Sequence, residues 1–129
     1  MTGFELARAV ATGALGAREL VETHIAHIEA TDDRLNAFTG KSFQRARQEA
    51  DAVDARRARG EPLPPLAGVP YAVKNLFDVQ GTVTLAGSKI NRSHAPAEQD
   101  AFLVAQMKAA GAVLLGALNM DEYAYGFTT

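Results

Sequence analysis

The feature that most constrains this chain is the block "RGEPLPPL", Arg59 to Leu66, which divides it into two halves of different character. Its three prolines keep the backbone extended, and Gly60 can close the helix that arrives there. The residues before the block read as amphipathic helices. Those after it have few charges and many β-formers.

The first half begins with Thr2 and Glu5, the spacing of a capping box, and places Phe4, Ala7, Val10 and Ala11 on one stripe. Gly13 and Gly16 punctuate. A second helix is predicted from Ala17 to Ala30, with Leu20, Val21, Ile25 and Ile28 inside and "TDD" at Thr31 to Asp33 as its end. "LNAF", Leu35 to Phe38, reads as a short extended piece or turn. A third helix, Ser42 to Arg59, carries Phe43, Ala46, Ala50 and Val53 on its inner face and a solvated charged outer face.

In the second half, Val69 to Val73 is predicted to be a strand, Asp78 to Gly81 a turn, and "TVTLAGS" a loop. "HAPAEQDAFLVAQMKAAG" reads as one helix, with Pro96 near its start and Gly111 as its stop. "AVLLGALN" reads as a short buried strand, and Asn119 to Glu122 as a cap opening a last short helix. Strand, loop, helix, strand, helix is the order of a parallel pair joined by a crossover, hence an α/β fold. The strands after Leu66 read as interior, covered on both faces.

Charge and cysteine content exclude several functions. A net charge of −2 leaves no basic excess for a nucleic-acid backbone. With no cysteine there are neither disulfides nor thiolate metal sites, which fits a reducing cytoplasm. The start "MTGFELARAV" lacks the basic and apolar blocks of a secretion signal, and the run Ala112 to Leu118 is too short to cross a bilayer.

Lys74 is the sharpest chemical candidate. Alternation puts it with Ala72 on a strand face that reads as covered. A desolvated lysine loses its proton more easily and can act as a general base, a proton shuttle or a nucleophile toward carbonyls. A lysine at a strand end can also simply extend its head to water. His24 and His27 have helical i, i+3 spacing but no third ligand near in sequence; with His94 they read as ordinary histidines, and no metal or cofactor is expected. Asp121 and Glu122 read as acidic residues of a first helical turn, where the helix dipole favours them. Ser88 in "AGS" is a loop hydroxyl without the flanking glycines of a nucleophile elbow.

Taken together, "LAGVPYAVKNLFDVQGTVTLAGS" and "DAFLVAQMKAAGAVLLGALNMDEYAYG" resemble the amidase signature family of serine–cis-serine–lysine amidohydrolases, which includes the A subunit of glutamyl-tRNA amidotransferase. The wording through "ALNMDEYAYGFTT" is nearest to a branch of carboxybiuret-hydrolase-like amidases. The resemblance runs from Phe4 to Thr129 and implies an N-terminal portion of a single amidase domain over 1–129, with a helical lead-in at 1–60 and the start of an α/β core at 61–129. The implied sheet is mixed, largely parallel and incomplete.

The resemblance also implies that Lys74 is the triad base. It would be held neutral in a buried site and relay a proton through one serine to the serine that attacks the amide carbonyl. Tyr125 would approach the substrate channel. The substrate would be a small-molecule amide, with no direct role for nucleic acid or membrane and with either a small partner subunit or a homo-oligomer. Two departures stand out. Asn75 occupies a position where the family often has Asp, and no "GGSSGG"-like run that could supply the two serines is present. An N-terminal fragment, inactive alone, is therefore expected. Two other readings remain: a non-catalytic module that binds partners through its amphipathic helices and leaves no apolar surface uncovered, and a lysine Schiff-base enzyme.

Overall fold

The computed structural model describes residues 1–126. Helix α1, Gly3–Thr12, opens with the expected capping box: the Glu5 N–H donates to Thr2 Oγ1 at 3.2 Å and the Thr2 N–H donates to Glu5 Oε2 at 2.7 Å. It closes at Gly13, whose φ of 80° is left-handed. Helix α2, Ala17–Leu35, starts at Gly16, which offers no side-chain cap. A carboxylate from helix α3, Phe43–Ala58, does that work instead: Asp54 accepts the Ala17 and Arg18 N–H groups at 2.8 and 2.9 Å.

The expected end of α2 at Ala30 is corrected, since the helix continues to Leu35. Asp32 does not break it. Its carboxylate accepts the Ala37 and Phe38 N–H groups at 2.9 and 3.2 Å and pairs with Lys41 at 3.2 Å. The residue thus ties the helix end to strand β1, Phe38–Lys41.

After the proline block come strand β2, Pro70–Lys74, helix α4, Phe102–Ala109, and strand β3, Val113–Leu118. The strand order is β1-β3-β2. β2 runs parallel to β3, with Lys74 opposite Leu118, and α4 forms the crossover; β1 is antiparallel to β3. The sheet is therefore mixed and the fold α/β. β3 is central and buried through its length except at Leu118. β2 is an edge strand among the described residues, and every one of its positions is half-buried, so the expectation of interior strands holds for β3 and not for β2.

The helix expected from His94 begins only at Phe102. Its leading residues are used otherwise. The Gly81 N–H donates to Ala97 O, the Ala97 N–H to Thr82 O, and the Ala101 N–H to Asp78 O, at 2.9, 2.9 and 2.8 Å. Backbone committed to a neighbouring loop cannot close helical turns. Residues Lys89–Ser93 form a single 3-10 stretch. The turn expected over Asp78 to Gly81 lies one residue later, with the Thr82 N–H donating to Val79 O at 3.0 Å.

Alternation along β3 feeds two cores. Val113 and Leu115 pack with Val10, Val21 and Ile25 under the first three helices, while Leu114 packs with Val79 and Val104 on the opposite face. Gly116 lets β1 approach: a Cβ there would lie 2.3 Å from Gly40 O. A partly buried ion cluster joins the halves. Arg45 of α3 makes two 2.8 Å bonds to Asp100 and one of 2.7 Å to Glu49, and Asp100 also accepts the Gln80 N–H. Phe102 and Leu103 of α4 remain 75% and 56% exposed, which speaks against a self-covered module. No helix among the described residues is long and apolar enough to cross a membrane.

Candidate active site

The parallel pair ends at Lys74 and Leu118, and the segments beyond these two strand ends meet. Carboxyl ends of parallel strands are where open α/β sheets bind ligands, because the loops there are free to vary. Two loops build the region here. The first, residues 75–93, leaves β2; the second, residues 119–126, leaves β3.

Asn75 fastens the first loop to the sheet. Its N–H donates to Leu118 O at 3.0 Å, its Oδ1 accepts the Leu85 N–H at 3.1 Å, its carbonyl accepts the Ala86 N–H at 2.8 Å, and its Nδ2 donates to Thr39 of β1. The residue is 5% exposed. An aspartate here would lose the Nδ2 donor and bury a charge, so the amide suits this environment.

The two loops then interlock. The Tyr123 N–H donates to Ala86 O at 2.7 Å. Ser88 Oγ donates to Glu122 Oε1 at 2.6 Å. Asn91 Nδ2 donates to Leu85 O at 2.8 Å and exchanges hydrogen bonds with the Tyr123 hydroxyl at 3.1 and 3.2 Å. Ser88 and Asn91 are both buried. Gly87, at φ 72°, lets the backbones touch: a Cβ would lie 2.7 Å from the carbonyl oxygens of Met120 and Asp121. Ala86, Tyr123 and Ala124 also have φ near 50°, three left-handed non-glycine residues in one place. Such strain persists only where surroundings over-determine the backbone, as at ligand sites.

Lys74 projects from the end of β2 into this region. Its Nζ lies 3.5 Å from Asp121 Oδ1; the lysine side chain is 42% exposed and the aspartate 17%. The lysine expected to be buried is thus half-open to solvent in the described residues, with a carboxylate as its partner. Tyr125 lies at the end of the second loop and is 93% exposed. The end of the run "ALNMDEYAYGFTT", residues 127–129, lies outside the described residues.

The last short helix is corrected. Residues Glu122–Ala124 form only a 3-10 turn, with left-handed Tyr123 inside it, and Asn119 provides no cap to Glu122. Asp121 and Glu122 therefore do not face a helix dipole. They face Lys74 and Ser88. Sequence reading misses this pairing because the partners lie 47 and 34 positions away along the chain. The only signal in the sequence is the crowding of Asn, Ser, Asp, Glu and Tyr after two apolar strands. His24 Nδ1 lies 2.9 Å from Leu20 O of its own helix, a local bond. Among the described residues no three His, Asp or Glu gather as a metal site would require.

Comparisons with known proteins agree on one family. The family model described as Amidase matches residues 19–129. AtzE of Pseudomonas sp. (strain ADP), a 1-carboxybiuret hydrolase subunit, is 63% identical over all 129 residues, which span 28% of its length. The A subunit of glutamyl-tRNA(Gln) amidotransferase from Salinispora arenicola (strain CNS-205) is 46% identical over 129 residues and 26% of its length. A solved structure described as a vestigial protein complex that reveals the origins of an s-triazine catabolic enzyme superimposes with a TM-score of 0.98 at 63% identity, covering 100% of this chain and 28% of that one. A bacterial aryl acylamidase of the amidase signature family gives a TM-score of 0.86 at 32% identity, covering 95% of this chain and 26% of that one. The chain thus spans about a quarter of the length of the relatives it matches.

Proposed function

Because the chain belongs to the amidase family, we propose that it forms the lysine-bearing, N-terminal part of a single amidase domain that hydrolyses the C–N amide bond of a small molecule, with Lys74 as the base. In this reading a serine outside the 129 residues attacks the carbonyl carbon. Its proton passes through a second serine to Lys74. The carbon–nitrogen bond of the tetrahedral intermediate breaks, the nitrogen leaves protonated, and water hydrolyses the acyl-enzyme. The single observation that carries the reading is Lys74 at the carboxyl end of β2, among interlocked loops, in a chain 63% identical to a 1-carboxybiuret hydrolase subunit.

The same relative suggests a small ureide or amide as substrate, with Tyr125 near its entry. Its description as a subunit suggests a partner subunit. A cytoplasmic setting fits a chain without cysteine. The 129 residues alone should not turn over, because they contain no glycine- and serine-rich run to supply the serines, and triad members act as a unit.

The test is ammonia release from 1-carboxybiuret, the compound in the relative's description, by a full-length enzyme carrying this stretch. Lys74→Ala should abolish it while leaving the melting temperature within a few degrees. Turnover near the parent's level in that variant would overturn the role given to Lys74.

A further inference from the structure

Asp121 has no role in the proposed reaction. It is 17% exposed on its side chain, and Lys74 Nζ at 3.5 Å is the only basic group within 4 Å of it among the described residues. A partly buried carboxylate needs a partner, and here the partner is the candidate base. Nor is the carboxylate loosely held. Met120, immediately before it, is 4% exposed. The backbone of Met120 and Asp121 lies against Gly87, with no room for a side chain between them. The Tyr123 and Ala124 N–H groups are fixed to Ala86 O and Asp121 O at 2.7 and 3.0 Å. The carboxylate thus rests on a pinned backbone, while Lys74 reaches it on a flexible four-carbon stem.

We propose that Asp121 is a positioning residue for Lys74: its carboxylate accepts one N–H of Nζ, fixes the lysine head at the mouth formed by the two loops and leaves the nitrogen lone pair free to take the proton of a serine hydroxyl. This rests on the amidase reading for its catalytic meaning, but the pairing itself is testable without catalysis. Unrestrained, the lysine head would sample many rotamers, and effective alignment of a base with its proton donor would fall. A carboxylate seated against Nζ also shields the nitrogen, and its removal opens the amine to an acylating reagent such as an acid anhydride.

Two measurements separate the pairing from the amidase reading. In the full-length enzyme, trace labelling with acetic anhydride and peptide mass mapping give the reactivity of Lys74 relative to Lys89 and Lys108. Asp121→Ala should raise that ratio at least threefold, and Asp121→Glu should keep it within twofold of the parent. Lys89 and Lys108 are already exposed in the folded chain, so unfolding would raise the ratio too; the comparison is therefore made below the melting transition, with each variant's melting temperature within a few degrees of the parent's. An unchanged ratio in Asp121→Ala overturns the proposal. In the full-length enzyme with 1-carboxybiuret, Asp121→Asn should lower kcat about tenfold, leave KM within twofold, and be partly rescued by Asp121→Glu. Unchanged kcat in Asp121→Asn would overturn the positioning role. Should Lys74→Ala leave ammonia release intact, the amidase reading fails separately, and the labelling ratio still decides whether the two side chains are paired.

Discussion

The three helices of the first half and the two loops at the strand ends are held by different kinds of bond. The helices carry their own instructions: a capping box at Thr2 and Glu5, a glycine stop at Gly13, and apolar stripes that meet Val113 and Leu115. The loops have no repeating pattern. Three buried polar side chains, Asn75, Ser88 and Asn91, hold them by bonds to residues far along the chain or to backbone. Local signals make a region robust to single changes, whereas a polar network fails when one member is removed. The difference also suits function, because a network can fix side chains in a geometry that regular structure does not offer.

The most damaging single change should strike the joint between the two regions. Arg45 holds Asp100 and Glu49 with only 20%, 11% and 14% side-chain exposure. Arg45→Met would strand two carboxylates in a poorly hydrated place and cost about 3 kcal/mol, as when one partner of a buried pair is removed. Urea denaturation would show it. A loss under about 1 kcal/mol would mean that the halves are joined mainly by β3. Within the loops, Asn91→Ala removes three hydrogen bonds: the buried side of the Tyr123 hydroxyl loses its partner, and Leu85 O keeps only the Ser88 N–H. The expected cost is about 2 kcal/mol. Amide exchange should quicken across residues 85–93 and 119–126 while α1 to α3 keep their protection. Uniform quickening would erase the contrast between the regions.

Much of the first half is legible in the sequence because its signals are local. Helix limits at Thr2, Gly13 and Arg59 follow from side chains within a turn of each end. Asp32 misleads because its carboxylate works across the helix end on Ala37, Phe38 and Lys41, in a place where composition suggests a break. The second half is legible in its strands and crossover, since apolar alternation survives without knowledge of neighbours. The late start of α4 is not, because Ala97 and Ala101 are claimed by backbone groups of another loop. Lys74 draws notice as a charge on an apolar strand. Asp121 does not, because an acidic pair after an asparagine looks like a helix start until Tyr123 is seen in a left-handed conformation.

A milder change tests the helical side. Thr2→Ala removes one half of the capping box and should cost about 1 kcal/mol, with no effect on loop protection. Acid should distinguish the regions too. Hydrogen bonding to Arg45, against the opposing effect of burial, holds Asp100 below the usual carboxylate range. Hydrogen bonds to Arg47 and Arg18 hold Glu22, on the exposed face between α2 and α3, at about 2. Both folded-state values are depressed, so the stability they contribute is present above the ordinary carboxylate range and lost as pH falls through the lowered values. Glu22 is water-exposed and its share should be small. Melting temperature should therefore drop between about pH 4.5 and pH 2, and less so in Arg45→Met, where the depression of Asp100 is gone. An equal drop in parent and variant would remove Asp100 from the account.

The smallest effect is expected at Tyr71, where the loop rule of complete polar pairing is broken. Its hydroxyl is buried without a hydrogen-bond partner among the described residues, and burial pushes the phenol up to about 12, with Arg45 pulling down and Glu49 and Asp100 pushing up. The ring packs in the core with Leu114 and Val104, so the apolar part of the residue is well used and the oxygen is not. Tyr71→Phe removes an unmet polar atom while keeping the ring. The change should leave stability equal or raise it by up to about 1 kcal/mol, in contrast to the losses at Asn91 and Arg45. A loss above about 1 kcal/mol would mean that the hydroxyl finds a water or side chain in solution, and that the polar network extends from the strand-end loops along β2 to its first residues. The sign of this one substitution therefore fixes where the network stops.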